Sequence, residues 1–331
     1  MRCTVIGAGN WGTTFAQILA DAGNPVVLWT HVESRAEEIT DRHTNLRYLP
    51  EAVLSDRITA TTDMAAALQG AELVVVALPS DVVRRVLADH ASSVPRSAIV
   101  VSLMKGVEHG TDTFMSQVLS EIWDIPAQRM AVLSGPNLAG EIIRRQPTTS
   151  VVACTDEQVA LRVAGACATP YFRVFTTTDV IGAEVGGAVK NVIALAVGIA
   201  QGVGYGDNTM ASIMTRGLSE ASRIGVSLGA QAETFAGLAG MGDLIATCSS
   251  PLSRNHRLGS LVGKGYSLQQ AVAEIGTTAE GAKSCRAILD LAQQRGIRVS
   301  ITAAVVAVLY DGLPVPEMVS RLVERPPRAE D

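Results

Sequence analysis

Cysteine is scarce in this chain and badly placed for structural chemistry. Cys3, Cys154, Cys167, Cys248 and Cys285 are scattered, odd in number and form no CxxC pair. That argues against a disulfide framework and against a zinc site. The five histidines lie far apart, without HExxH-like spacing. Positive charge is not in excess: 27 Lys and Arg against 32 Asp and Glu leave a net charge of −5, which gives no electrostatic reason to expect a nucleic-acid partner. Apolar runs such as "VIALAVGIA" and "ITAAVVAVL" fall well short of the roughly 20 residues of a membrane span. Low-complexity segments, long linkers and periodic repeats are also missing, and no signal-like segment precedes the first strand pattern. The expectation is a soluble cytoplasmic protein with no nucleic-acid partner and no membrane span.

What is present is enough chain for roughly two cores: 331 residues, 47% of them hydrophobic. The first half alternates short β-rich runs with helical stretches. The runs are "CTVIG", "PVVLWT", "ELVVVALP", "AIVVSL", "MAVLSG", "TTSVVAC" and "FRVFTT", with helical patterns at 11–22, 34–42, 63–69, 81–91 and 113–121. Near-continuous apolar strands suit a parallel sheet covered on both faces, so residues 1–180 are expected to form a Rossmann-type doubly wound α/β domain. Past "TTTDVIG" the strands stop. Residues 181–331 are expected to be all-helical, with segments at 181–202, 208–227, 231–237, 255–262, 268–274, 280–295, 302–310 and 314–323, and a frayed "RPPRAED" tail.

The turn "VIGAGNWGT" sets Gly7, Gly9 and Gly12 in GxGxxG spacing between the first strand and the first helix. Gly7 permits the tight turn, Gly9 lets a pyrophosphate approach the backbone, and Gly12 allows close helix–strand packing. The alternative is a glycine turn selected for packing alone. Asp or Glu is expected at the end of the second strand where NAD is preferred, but this one reads "LWTHVESR". His31, helped by Arg35, stands where a 2′-phosphate would lie, which favours NADP without excluding NAD.

Further strand ends carry "LPS", "MKG" and "SGPNLAGE". There Lys105 either projects into the crevice or is an ordinary surface lysine. In the helical half, "GGAVKNVIALAVG" places Lys190 among Gly186, Gly187, Ile193 and Ala194, none of which can pair with its charge. It either snorkels to water or faces a polar cleft where it does proton chemistry. "GMGDLIATCSSPLSRNHRLG" puts Asp243 and Thr247 on one helical face and makes Ser253 an N-cap followed by Arg254 and Asn255. A cation at a helix start suits a bound anion; otherwise this is a capped helix with a solvated arginine.

Taken together, "GAGNWGT", "MKG", "SGPNLAGE", "EVGGAVKNVIAL", "GMGDLIATC", "SRNHRLG" and "AEG" (279–281) resemble the bacterial NAD(P)-dependent glycerol-3-phosphate dehydrogenases over almost the whole chain. The resemblance implies reversible reduction of dihydroxyacetone phosphate to sn-glycerol 3-phosphate for phospholipid synthesis, by a homodimer, without a metal. It implies Lys190 as the general acid/base. Lys105, Gly135 and Asn137 would hold substrate near the nicotinamide, with Asp243 and Thr247 around Lys190. Ser253, Arg254 and Asn255 would cradle phosphate, and Asn10, Trp11, His31, Lys105, Ala139, Arg254 and Glu280 would contact the cofactor. Two positions depart from the pattern: 137 is often Thr or Ser in the family, and 31 is often Arg. The competing readings are a related two-domain hydroxy acid dehydrogenase and a non-catalytic NAD(P)H sensor.

Overall fold

The computed structural model describes residues 1–276 and 279–318. The first half runs β1 (Cys3–Ile6), α1 (Asn10–Asp21), β2 (Val26–Trp29), α2 (Glu33–Arg42), β3 (Ile58–Thr61), α3 (Met64–Leu68) and β4 (Leu73–Val76). It continues with α4 (Val83–Leu87), β5 (Ile99–Ser102), α5 (Met115–Trp123), β6 (Met130–Ser134), α6 (Ala139–Ile142), β7 (Thr148–Cys154), α7 (Glu157–Ala166) and β8 (Phe172–Thr177). The eight strands form one sheet in the order β3-β2-β1-β4-β5-β6-β7-β8, with separate buried clusters on its two faces. This is the doubly wound Rossmann-type arrangement the alternating pattern predicts.

Two features differ from the expectation. β3, an edge strand, is half-exposed and has one buried apolar residue, Ile58, so "ITAT" carries no strand-like hydrophobic run. β7 pairs antiparallel with β6, although every other pairing is parallel. A parallel return needs a crossover that carries the chain back along the length of the strands, usually a full helix. Between β6 and β7 the chain provides only the four-residue α6, so it reverses direction.

The helical half follows: α8 (Val180–Val203), α9 (Asp207–Ser227), α10 (Ala232–Ala236), α11 (Asp243–Ser249), α12 (Arg254–Gly263), α13 (Leu268–Ile275), α14 (Glu280–Gln294) and α15 (Ser300–Tyr310). A π-helical turn at Leu238–Gly242 leads into α11. Of the expected helix 314–323, residues 315–318 are helical; the rest, with the "RPPRAED" tail, lies outside the described residues.

α8 is the axis of this half, and residues 182–200 are all buried. By length and hydropathy it could cross a membrane, yet 89% of its apolar window is covered by protein. Glu184, Lys190 and Asn191 interrupt the apolar run, which is why the run reads short while the helix is long. Asp179 caps α8: Oδ1 accepts from Gly182 N (2.9 Å), while Oδ2 accepts from Gln231 N (2.9 Å) and Thr234 Oγ1 (2.6 Å). α12 crosses α8 at backbone contact distance. A Cβ at Gly198 or Gly202 would overlap the carbonyls of His256 or Ser260, and one at Gly259 or Gly263 those of Leu195 or Ile199.

The helical half is also tied into the sheet half. Buried Glu184 accepts from Ser116 N (2.8 Å) and Ser116 Oγ (2.5 Å), at the start of α5. Burial pushes this carboxyl up to about 7, against the pull of both hydrogen bonds. α8 therefore reaches the carboxyl ends of the strands as a fixed element.

Candidate active site

Lys190 owes its burial to another helix. It is 8% exposed, and its Nζ donates to Asp243 Oδ1 (2.7 Å) and Thr247 Oγ1 (2.5 Å), both on α11. The spacing of four places Asp243 and Thr247 on one face, and Thr247 Oγ1 also approaches Asp243 Oδ1 (3.4 Å). Asp243, 1% exposed, uses its other oxygen on Lys105: Oδ2 accepts from Lys105 Nζ at 2.6 Å. Lys105 follows β5 and donates as well to the carbonyl of Gly135 (3.0 Å). The result is one buried carboxylate clamped between two ammonium groups.

An ammonium has three N–H donors. Among the described residues each of these lysines commits two, so each keeps one for a ligand. With two cations against one anion the cluster is net positive and suited to an electron-rich oxygen or a phosphorylated substrate. Burial pulls the Lys105 ammonium down to about 8; the Asp243 carboxylate opposes this and the Lys190 cation adds to it. Lys105 is therefore charged below pH 8 and loses its proton as pH rises through it. If the Lys105 ammonium acts on the substrate as a cation, kcat/KM for reduction falls above pH 8, approaching about tenfold per pH unit. A pH–rate profile checks this: the limb should disappear in Lys105→Met, whose activity should already be low at pH 7.

Asn191, which sequence reasoning did not single out, joins the surrounding elements. Its Nδ2 donates to the Lys105 carbonyl (3.2 Å) and its Oδ1 accepts from Asn255 Nδ2 (2.9 Å). Asn255 Oδ1 in turn accepts from Gly281 N (2.9 Å), so the starts of α12 and α14 meet beside Lys190. Its signal in the sequence was its place beside Lys190 in the motif "EVGGAVKNVIAL". Ser253 is the N-cap of α12, its hydroxyl accepting from His256 N (3.2 Å). Arg254 is exposed at the first helical position, with no described side-chain partner. The side-chain oxygen of Asn255 is thus committed within the protein, while the backbone N–H groups of Arg254 and Asn255 are free of intrahelical bonds.

The dinucleotide turn is built as its spacing implies. Gly7 has φ +116, a conformation that disfavours any side chain, and a Cβ on Gly12 would overlap the Gly7 carbonyl. Nothing lies within 4 Å of a Cβ position on Gly9, which leaves space for a pyrophosphate over α1. Gly9 caps α1 without a side-chain bond, so the N–H groups of Asn10 and Trp11 face that space, and the buried indole N–H of Trp11 has no partner in the protein. These features fit NAD(P). Asn45, missed in the sequence, braces the turn by donating to Ala8 O (3.1 Å) and Thr13 Oγ1 (2.9 Å).

His31 is exposed beyond β2, its ring centroid 6.5 Å from that of Trp29. Arg35 and Arg47 both lie over the Tyr48 ring, at 5.0 and 5.8 Å, and Glu33 is held by Thr62 Oγ1 (2.6 Å). Ala139 opens α6, and Glu280 opens α14, where its Oε2 accepts from Ser80 Oγ (2.6 Å) beside Gly106.

Residues 2–160 match the NAD-dependent glycerol-3-phosphate dehydrogenase N-terminus and residues 179–320 the C-terminus of the same family. The chain belongs to the glycerol-3-phosphate dehydrogenase family. It is 52% identical over 330 residues to glycerol-3-phosphate dehydrogenase [NAD(P)+] of Streptomyces griseus, covering 100% of this chain and 98% of the relative. The Thermobifida fusca enzyme of the same name is also 52% identical, over 99% of this chain and 98% of that relative. Among solved structures, glycerol-3-phosphate dehydrogenase of Coxiella burnetii superposes with a TM-score of 0.93 at 33% identity, covering 98% of this chain and 99% of that one. As a member of the family, the chain is an NAD(P)-dependent oxidoreductase with a small-molecule substrate.

Proposed function

We propose that the chain reversibly reduces dihydroxyacetone phosphate to sn-glycerol 3-phosphate, with Lys190 as the proton donor. The observation that carries this is the buried Lys190–Asp243–Lys105 cluster at the strand ends, reached by no other ionised side chain among the described ion pairs. Bound NAD(P)H supplies the hydride to the ketone carbon. Lys190 gives a proton to the ketone oxygen through its uncommitted N–H. Asp243 and Thr247 hold the ammonium in place, and Asp243 keeps it balanced in charge. The Lys105 ammonium, fixed by Asp243 and the Gly135 carbonyl, polarises the same oxygen from a second side.

Gly135 and Asn137 line the substrate face. Ser253, Arg254 and Asn255 receive the phosphate at the start of α12, where N–H groups, helix dipole and guanidinium act together. Remote phosphate binding of this kind orients the ketone for reaction. For the cofactor, Gly7, Gly9, Asn10, Trp11 and Gly12 take the pyrophosphate end. His31 with Arg35 favours NADPH over NADH because no acid closes β2; Ala139, Lys105, Arg254 and Glu280 complete the contacts. We divide the chain at residue 180: 1–180 carries the dinucleotide turn and 181–331 the proton donor and phosphate cradle, with Lys105, Gly135 and Asn137 reaching the substrate and Arg254 and Glu280 the cofactor across that boundary. We place the protein in the cytoplasm as a homodimer feeding glycerophospholipid synthesis, which follows the family resemblance.

The test is loss of absorbance at 340 nm with dihydroxyacetone phosphate, run in parallel with NADPH and NADH. Ketone-dependent oxidation, with the lower KM for NADPH, is the expected result. Folded protein that binds cofactor but oxidises neither with this ketone would sink the assignment and favour a sensor.

A further inference from the structure

Ser150, on β7, lies behind the substrate face and is fully buried. A hydroxyl has one hydrogen to donate. Ser150 gives it to the carbonyl of Ser134 at 2.6 Å. Toward Asn137, 3.1 Å away, Ser150 Oγ can therefore only accept, so the amide atom facing it is Nδ2. The orientation of the Asn137 amide follows: its Oδ1 is turned away from Ser150. That oxygen is enclosed and finds no partner within the described protein. The turn that carries it is tightly held. Gly135, at φ +123, packs so closely on β7 that a Cβ there would stand 3.2 Å from Ser150 Cα.

The segment 134–137 belongs to the reaction face. The Gly135 carbonyl holds Lys105, and a Cβ on Gly187 would stand 3.2 Å from Ser134 Oγ and 3.3 Å from Lys105 Cγ, one turn before Lys190. Here chemistry poses a discrimination problem. Two lysines sharing one carboxylate would welcome a carboxylate on the substrate as readily as a neutral group. An acceptor with no hydrogen to give works the other way: it pairs with a hydroxyl donor and repels a carboxylate.

We propose that Ser150 is a specificity-determining positioning residue: by fixing the Asn137 amide with its oxygen as a bare acceptor, it selects a ketone phosphate bearing a hydroxymethyl group over one bearing a carboxylate on the same carbon. This rests on the reaction proposed above. Asn137 makes the substrate contact and Ser150 acts through it.

The experiment compares kcat/KM for dihydroxyacetone phosphate and for 3-phosphohydroxypyruvate at saturating NADPH. It uses wild type, Ser150→Ala, Asn137→Ala and the double variant, with thermal unfolding of each. Wild type is expected to favour the hydroxymethyl substrate. In Ser150→Ala the ratio of the two kcat/KM values falls by about tenfold, the effect of one lost hydrogen-bond preference. The double variant falls no further than Asn137→Ala, because the two residues act as a unit. Equal losses on both substrates, or independent effects in the double variant, would overturn the proposal. So would a rise in the KM for NADPH at an unchanged ratio, which would set Asn137 against the cofactor. Wild type that turns over neither ketone would sink the parent reaction instead, and is recognised by its appearance before any variant is made.

Discussion

Lys190→Ala is expected to lower kcat for dihydroxyacetone phosphate reduction by about 10³-fold while leaving the dissociation constant for NADPH within about twofold of wild type. The asymmetry follows from where the side chain sits. Lys190 emerges from the middle of α8, and its described partners are Asp243 and Thr247. The dinucleotide turn at Gly7–Gly12 is built on β1 and α1, braced by Asn45. Removing the ammonium takes away the proposed proton donor and leaves that turn untouched. Lys190→Arg should not rescue: a guanidinium does not give up its proton, and its planar fork cannot reproduce two convergent bonds at 2.7 and 2.5 Å. Stopped-flow turnover with fluorescence titration of NADPH separates the two quantities. Matching losses in both would mean that α8 had lost its packing, and Lys190 would no longer stand as the proton donor.

The parts of this site that were legible in the sequence are those with a local chemical signature. The GxGxxG turn reads from spacing, because backbone geometry at Gly7 and Gly12 admits few alternatives. Ser253 reads as an N-cap because capping is a matter of three residues. The strands of the first half read from their unbroken apolar runs, and β3 did not because an edge strand needs only one buried side. Lys190 could be identified as anomalous, but its partner could not, since nothing local connects residue 190 with residue 243. Family resemblance supplied that link; residue spacing did not. The bracing residues escaped for the same reason. Asn45, Asn191 and Ser150 are ordinary polar residues whose partners lie far along the chain. The antiparallel turn into β7 was hidden because strand direction depends on the connection rather than on strand composition.

Asp243 should be the residue whose loss costs most in stability as well as in activity. Both its oxygens are engaged by lysines, at 2.7 and 2.6 Å, and the side chain is almost wholly buried. Truncation to alanine leaves two ammonium groups facing one another in a water-poor cleft. Breaking a buried pair by removing one partner typically costs about 3–5 kcal/mol, because the remaining charge is uncompensated. Asp243→Ala should accordingly unfold at markedly lower denaturant with an unchanged m-value, and kcat/KM should fall by at least about 10³-fold. The pH dependence distinguishes this cause from simple loss of packing. In the native protein Lys105 is already pulled down to about 8, and the carboxylate is what holds it that high. Without Asp243 its pKa drops further, so over a wider range of pH the unfolded chain binds more protons at this position than the native one. Stability then rises with pH across that range, which follows from proton linkage. Asp243→Ala should therefore regain stability relative to wild type as pH is raised from 7 toward 9, measured by urea unfolding at each pH. A deficit that stays constant with pH would mean that Asp243 packs the cleft without balancing its charge, and the electrostatic account of both lysines would fall with it.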